Sequence, residues 1–203
     1  EAIRTPQFYL VWLVVFINIS AGIMLLSVAS NMTQAITGAT PTVAATIVGL
    51  IGVFNGAGRI VWSSFSDYLG RTRIYAVFFV IQILAFFSLP QITTVWLFAG
   101  VMFFIITCYG GGFACLPAYL ADLFGTKELG AIHGYTLTAW SLAGIAGPTL
   151  ISQVVSRTGS YELSFYIVGA TLVIGLVCVG LLRWQIDIVR RAQLKGTPNG
   201  LGH

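Results

Sequence analysis

Residues 55–73 read NGAGRIVWSSFSDYLGRTR. Up to Ser66 the stretch is apolar or small apart from Asn55 and Arg59, and then Asp67, Gly70, Arg71 and Arg73 follow in quick succession. An apolar helix that runs into an acid, a glycine and two arginines is leaving hydrocarbon through a tight turn. Asp67 can accept at a helix terminus or pair with a basic neighbour, Gly70 permits the turn, and Arg71 and Arg73 hold the loop at the membrane surface.

Outward from this segment the same alternation continues. Crossing a hydrocarbon core of about 30 Å at 1.5 Å per residue takes about 20 apolar residues. Six such runs occur, over residues 8–30, 43–66, 74–89, 93–116, 130–153 and 164–184. Between them lie a polar segment at 31–42, the DYLGRTR turn, a brief turn at Pro90 and Gln91, and the connectors ADLFGTKE and SRTGSYE. The expected fold class is an all-α membrane protein of six transmembrane helices within residues 1–184, followed by a tail over 185–203. The first run is too long for a cleaved signal peptide, and five similar runs follow it.

Composition agrees. With 57% apolar and 8% charged residues, against about 25% charged in soluble domains, most of the surface must face lipid. The net charge of +4 comes from basic residues scattered between apolar runs, so no continuous stripe exists to bind nucleic acid. Cys108, Cys115 and Cys178 lie inside apolar runs without metal-ligand spacing and read as packing residues. No metal or cofactor is implied, and no Ser/His/Asp set or phosphate loop suggests catalysis. His133, near the start of the fifth run, reads as a surface or capping residue. The glycine run at 110–112 is helix-destabilising by about 1 kcal/mol per glycine relative to alanine, and marks close packing, a bend or a substrate-facing surface.

Arg59 is the principal functional candidate. It precedes Asp67 by eight positions, which places it about 12 Å deeper along the helix, and none of the six runs contains an acid to neutralise it. An intramembrane cation costs about 2.5–3.5 kcal/mol on insertion scales and generally has a role. One reading is anion recognition, since a guanidinium holds a carboxylate through two parallel hydrogen bonds. The other is that Arg59 snorkels to the headgroups or pairs with Asp67. Asn55 stands one turn earlier on the same face.

The turn resembles the loop signature of the major facilitator superfamily, G-x-x-x-D-x-x-G-R-x-[RK], with Ser63 in place of the first glycine. RTPQFYLVWL, GVFNGAGRIVWSSFSDYLGR and YGGGFACLPAYLADLFGTKELGAIHG are similar to helices seven to twelve of its oxalate:formate antiporter family, relatives of the monocarboxylate transporters. The resemblance covers the chain up to Trp184 and implies one half of a twelve-helix secondary transporter of small carboxylates. The substrate then sits between two halves near the midplane. The remaining six helices are expected in a missing amino-terminal half or a second half-chain.

The resemblance also implies roles. The family's substrate-binding arginine lies in an N-G-x-x-R setting that Asn55, Gly56 and Arg59 reproduce. Tyr109 and Phe113 fall where the family has aromatic site walls, and Leu137 replaces a helix-eleven aromatic. The position of Asn55 usually holds an aspartate, implicated in proton coupling, in monocarboxylate transporters; an amide cannot carry a proton. Oxalate-transporting members place a second cation on helix eleven where this chain has Trp140, which favours a monocarboxylate such as lactate, formate or pyruvate over oxalate. Packing remains the alternative role of each aromatic. The implied setting is a bacterial inner (plasma) membrane. A non-transporting accessory subunit and a passive pore are the competing classes.

Arg4, Arg71, Arg73, Lys127, Arg183, Arg190, Arg191 and Lys195 fall on one side when the six runs are threaded, and Arg157 on the other. Short cytoplasmic loops hold the excess of Lys and Arg, so both termini are expected in the cytoplasm. Single cysteines introduced into the tail and into the 31–42 segment test this: an impermeant thiol reagent should label the second from outside and the first only after permeabilisation, and external labelling of the tail would defeat the topology.

Overall fold

The computed structural model describes residues 2–196. Six long helices account for most of them: α1 (Pro6–Thr37), α2 (Pro41–Leu69), α3 (Arg71–Ser88), α4 (Val95–Phe124), α5 (Leu129–Thr158) and α6 (Glu162–Gly196). Single 3-10 turns at Ala2–Arg4 and Leu89–Gln91 complete the regular structure. The fold is all-α, as the sequence led us to expect.

The helices run longer, and the connections shorter, than the apolar runs suggest. The polar segment after Ser30 is helical up to Thr37: Thr33 and Thr37 donate their hydroxyls to the carbonyls of Ala29 and Thr33, each at 2.7 Å, and Met32 and Thr33 are fully buried. Hydroxyls satisfied within the helix, and a buried face, override the polarity of the sequence. Four reversals each pivot on one glycine in a positive-φ conformation, at Gly38, Gly70, Gly125 and Gly159. At the other end of the chain α6 passes Trp184 without a break and continues to Gly196, so the expected tail begins as helix; residues 197–203 lie outside the described residues.

Five helices are long and apolar enough, by length and composition, to cross a membrane. The exception is α5, which is 30 residues long but is punctuated by His133, Thr136, Thr138, Ser141 and Ser152. The chain is an integral membrane protein.

Successive helices alternate in direction, so the turns gather at two ends. One end brings the start of α1, the α2–α3 turn, the end of α4 and residues 183–189 of α6 together. The opposite end collects Ala35 and Ile36, Pro90 and Thr93, and residues 159–162. Arg71, Arg73, Lys127 and Arg183 belong to the first end, whereas Arg157 sits near the second.

Helices α1 and α4 form the centre, with buried side chains along their whole length. In contrast α2 buries only Ala44, Ile47, Ile51, Gly58 and Ser66, and α5 only Ile132, Thr136, Ala139, Ala143, Gly147 and Ile151. The most extensive helix pair is α2 with α4. Its backbones touch: a Cβ at Gly58 would stand 2.5 Å from the Thr107 carbonyl oxygen, and one at Gly110 would strike the carbonyl oxygen of Asn55. Small residues allow this approach in a membrane, where dispersion packing replaces the hydrophobic drive between helices. Phe54 stacks on Phe103 at 4.3 Å, and Trp62 Nε1 donates to Thr107 Oγ1 at 3.2 Å. The glycine run at 110–112 is therefore packing: α4 is continuous through it, with Gly111 against Trp62 and Gly112 against Asn18.

Inside the bundle Asn18 Nδ2 donates to Gln82 Oε1 at 3.2 Å, and Tyr75 Oη donates to the Gly112 carbonyl at 2.5 Å. Cys108, Cys115 and Cys178 are buried and unpaired.

The α2–α4 contact gives a differential test. Gly58→Val should destabilise the purified protein by about 1–3 kcal/mol, the usual range for overpacking, because the clash is with backbone. Gly180→Ala, on the open face of α6 with nothing within 4 Å of an added Cβ, should be neutral or slightly stabilising. Thermal unfolding in detergent compares the two, and equal effects would refute the close-approach account.

Candidate functional site

Arg59 lies in the middle of α2 on its open side. Helical side chains lean toward the amino-terminal end of their helix, and Arg59 does so: its Nε donates to Asn55 Oδ1 at 3.2 Å. The guanidinium is thus drawn away from Asp67, and its carbon lies 5.5 Å from the centroid of the Phe113 ring on α4, within cation–π range. Among the described residues no carboxylate forms an ion pair with Arg59. Phe113 in turn meets Trp140 of α5, with ring centroids 6.4 Å apart at 60°. Pro117, one turn further along α4, has no N–H to give, so the Phe113 carbonyl lacks its usual helical donor.

Three helices therefore converge here, α2 with Asn55 and Arg59, α4 with Phe113 and α5 with Trp140. The glycines make it possible, since Gly58 and Gly110 set α2 and α4 close enough for Arg59 to reach over Phe113. Tyr109 takes a different place. Its half-buried ring is seated against Gly22 of α1, where any Cβ would stand 2.5 Å from the ring carbons, and it makes no ring pair or hydrogen bond with the other four among the described residues. His133 is half-buried in the first turns of α5, with Nδ1 lacking a hydrogen-bond partner.

The turn residues form a separate constellation at the basic end. Gly70 has φ 86° and ψ 142°, a conformation that residues with a Cβ rarely adopt. It lets α3 begin one residue after α2 ends. Arg71 then reaches back to Asp67 Oδ1 at 2.5 Å and across to Asp122 Oδ2 at 3.6 Å, and donates to Ser66 Oγ. One guanidinium thereby ties together the ends of α2, α3 and α4. The sequence alone does not single out Asp122; the acid in ADLFGTKE, in the last turn of α4, is its signal. Arg73 is exposed and has no ion-pair partner among the described residues. Ser63 fills the place of the signature's first glycine, half-buried, its hydroxyl donating to the Ile60 carbonyl at 3.0 Å.

The sequence model of the Major Facilitator Superfamily matches residues 11–200. The chain belongs to the major facilitator superfamily. Its six helices are consistent with one half of that superfamily's fold. It is 28% identical to the oxalate:formate antiporter of Oxalobacter formigenes over 173 residues, which is 84% of this chain and 41% of that protein. Against monocarboxylate transporter 10 of Rattus norvegicus it is 28% identical over 155 residues, 72% of this chain and 29% of the relative. An uncharacterised transporter of the superfamily from Escherichia coli (strain K12) is 24% identical over 147 residues, 71% of this chain and 36% of that protein. The chain thus spans between 29% and 41% of the length of these curated relatives. They are transporters rather than enzymes, in line with the absence of catalytic motifs noted in the sequence.

The superfamily turn suggests a ranking of effects. Gly70→Ala forces a Cβ into the positive-φ region and should destabilise by about 1–3 kcal/mol. Asp122→Asn removes only a 3.6 Å ion pair whose carboxylate is open to solvent, and pairs screened in this way contribute about 0–1 kcal/mol. Thermal unfolding of both variants checks the order; a larger loss from Asp122→Asn would mean that the inter-helix ion pair, and not the backbone turn, holds this end together.

Proposed function

We propose that this chain supplies one wall of the substrate site of a secondary transporter for small organic carboxylates working by alternating access, with Arg59 as the carboxylate-binding residue. The observation that carries the reading is Arg59 itself: a guanidinium in mid-helix, steadied by Asn55 and Phe113, without a carboxylate partner among the described residues, on the exposed side of a peripheral helix. Such a cation in a membrane is stabilised by an anion in a wet cavity far better than by lipid.

In this reading Asn55 fixes the pose of the guanidinium, Phe113 holds its face, and its remaining N–H donors address the substrate's two oxygens. Phe113 and Trp140 offer the apolar body of the substrate a wall, and Tyr109 sets the spacing of α1 and α4 behind it. With Trp140 in place of a second cation, a monocarboxylate such as lactate, formate or pyruvate is the favoured substrate over oxalate. The amide at Asn55 leaves exchange, or a coupling acid on the facing half, to move charge.

The sparse burial of α2 and α5 fits the same reading. Their open faces carry Arg59, Gly56, Ser141 and Gly144 beside apolar residues, which suits contact with a facing six-helix half and a water-filled path. That half is an amino-terminal segment or a second half-chain. The basic end of the bundle is placed in the cytoplasm, with the membrane taken as a bacterial inner membrane.

The test uses the complete transporter. Arg59→Gln retains polarity but removes the charge and the two-pronged contact, and should weaken carboxylate binding by about 2–5 kcal/mol if the pair is desolvated. Arg59→Lys should recover only part, since an ammonium lacks the planar fork. Affinities measured on variants that insert equally well decide the matter, and unchanged affinity in Arg59→Gln would remove Arg59 from the site.

A further inference from the structure

A second basic site lies outside this constellation, where the α2–α3 turn meets α6. A cavity of about 260 Å³ is lined there by Gly70, Arg71, Thr72, Arg73, Arg183 and Asp187, among others. Arg71 is occupied by Asp67 and Asp122. Arg73 and Arg183 are exposed, and neither forms an ion pair among the described residues, although Asp187 stands one turn beyond Arg183 on the same helix. The cavity also receives the start of α3, whose first turn has no side-chain cap and whose free N–H groups favour an anion.

The position of the cavity says which anion. Between Leu163 and Leu181 the exposed residues of α6 are Tyr166, Ala170, Val173, Ile174, Val177 and Gly180, a face suited to acyl chains. That face ends at Arg183, and the exposed aromatics Trp184 and Tyr68 flank the basic end at the depth where such side chains settle among headgroups. On α3 the exposed residues Val80, Leu84 and Phe87 extend the apolar surface. A phosphate here would have fatty chains running directly down the protein from it.

We propose that this pocket binds the phosphate of an anionic phospholipid headgroup, held by Arg73 and Arg183 and by the open first turn of α3. Asp187, an acceptor at the rim, suits a headgroup that carries hydroxyl donors, as phosphatidylglycerol does. A basic pocket between helix ends at the membrane surface is the kind of site that selects anionic lipid over zwitterionic lipid.

The experiment is native mass spectrometry of the complete transporter in detergent, titrated with phosphatidylglycerol or with phosphatidylcholine. The wild type should prefer phosphatidylglycerol, and each arginine should contribute roughly fivefold. The preference should disappear in the Arg73→Gln/Arg183→Gln variant and persist in Arg157→Gln, which alters the opposite end. Because neither pocket arginine has an ion-pair partner among the described residues, thermal unfolding in lipid-free detergent should change little. The single variants Arg73→Gln and Arg183→Gln carry the same test if the double variant does not fold, each losing part of the preference. Excess inorganic phosphate should leave the bound lipid in place. Displacement of phosphatidylglycerol by inorganic phosphate would overturn the assignment in favour of a free-anion site, and so would a wild type without preference or substituted proteins that keep it.

Discussion

The contact on which the candidate site depends is the approach of two backbones, α2 and α4, through Gly58 against Thr107 and Gly110 against Asn55. A side chain at either glycine would hold the helices apart. Arg59 would then no longer reach over Phe113, and Phe54 and Trp62 would lose their seats on Phe103 and Thr107. Within a bilayer such an approach is favoured because lipid offers helices no hydrophobic drive to associate, so that close packing and a few polar contacts must supply it. The three glycines at 110–112 reduce helix propensity, but each removes a clash with a different neighbour: Asn55, Trp62 and Asn18.

Polar groups inside the bundle follow the same economy. Asn18 meets Gln82, Tyr75 meets the Gly112 carbonyl, and the buried hydroxyls of Thr33 and Thr136 return to carbonyls four residues back. Arg59 differs, since its only protein hydrogen bond is to Asn55 and its charge is left unmatched among the described residues. The two arginine groupings at the basic end divide similarly. Arg71 is consumed in joining three helix ends, whereas Arg73 and Arg183 hold positive charge that no carboxylate among the described residues pairs with.

The architecture separates these features in space. The central helices α1 and α4 are buried along their length, and the peripheral pair α2 and α5 presents Arg59 and Trp140 on open faces. On α3 after Arg73, and on α6 between Leu163 and Leu181, the exposed residues are apolar or aromatic. A face that carries an arginine without a carboxylate partner among the described residues and a face that is apolar thereby belong to different helices, with α1 and α4 as the partition between them.

Length and apolar content by themselves determined that the chain is a bundle of membrane helices. Crossing hydrocarbon requires about 20 apolar residues with every backbone group paired internally, and that requirement is local. The turn at Asp67–Arg73 was legible for the same reason, because a glycine flanked by charges at the end of an apolar helix needs no distant partner. The single arginine among apolar residues was also legible, as a cost without local compensation. Tertiary structure alone decided the rest. It decided that Arg59 leans to Asn55 and Phe113 and away from Asp67, that Tyr109 packs on Gly22 while Trp140 meets Phe113, that Asp122 joins Arg71, and that 31–37 continues α1 although its composition reads as loop. Each of these depends on which side chain from another helix occupies a given space, and the spacing of residues along one helix carries no information about its neighbour's.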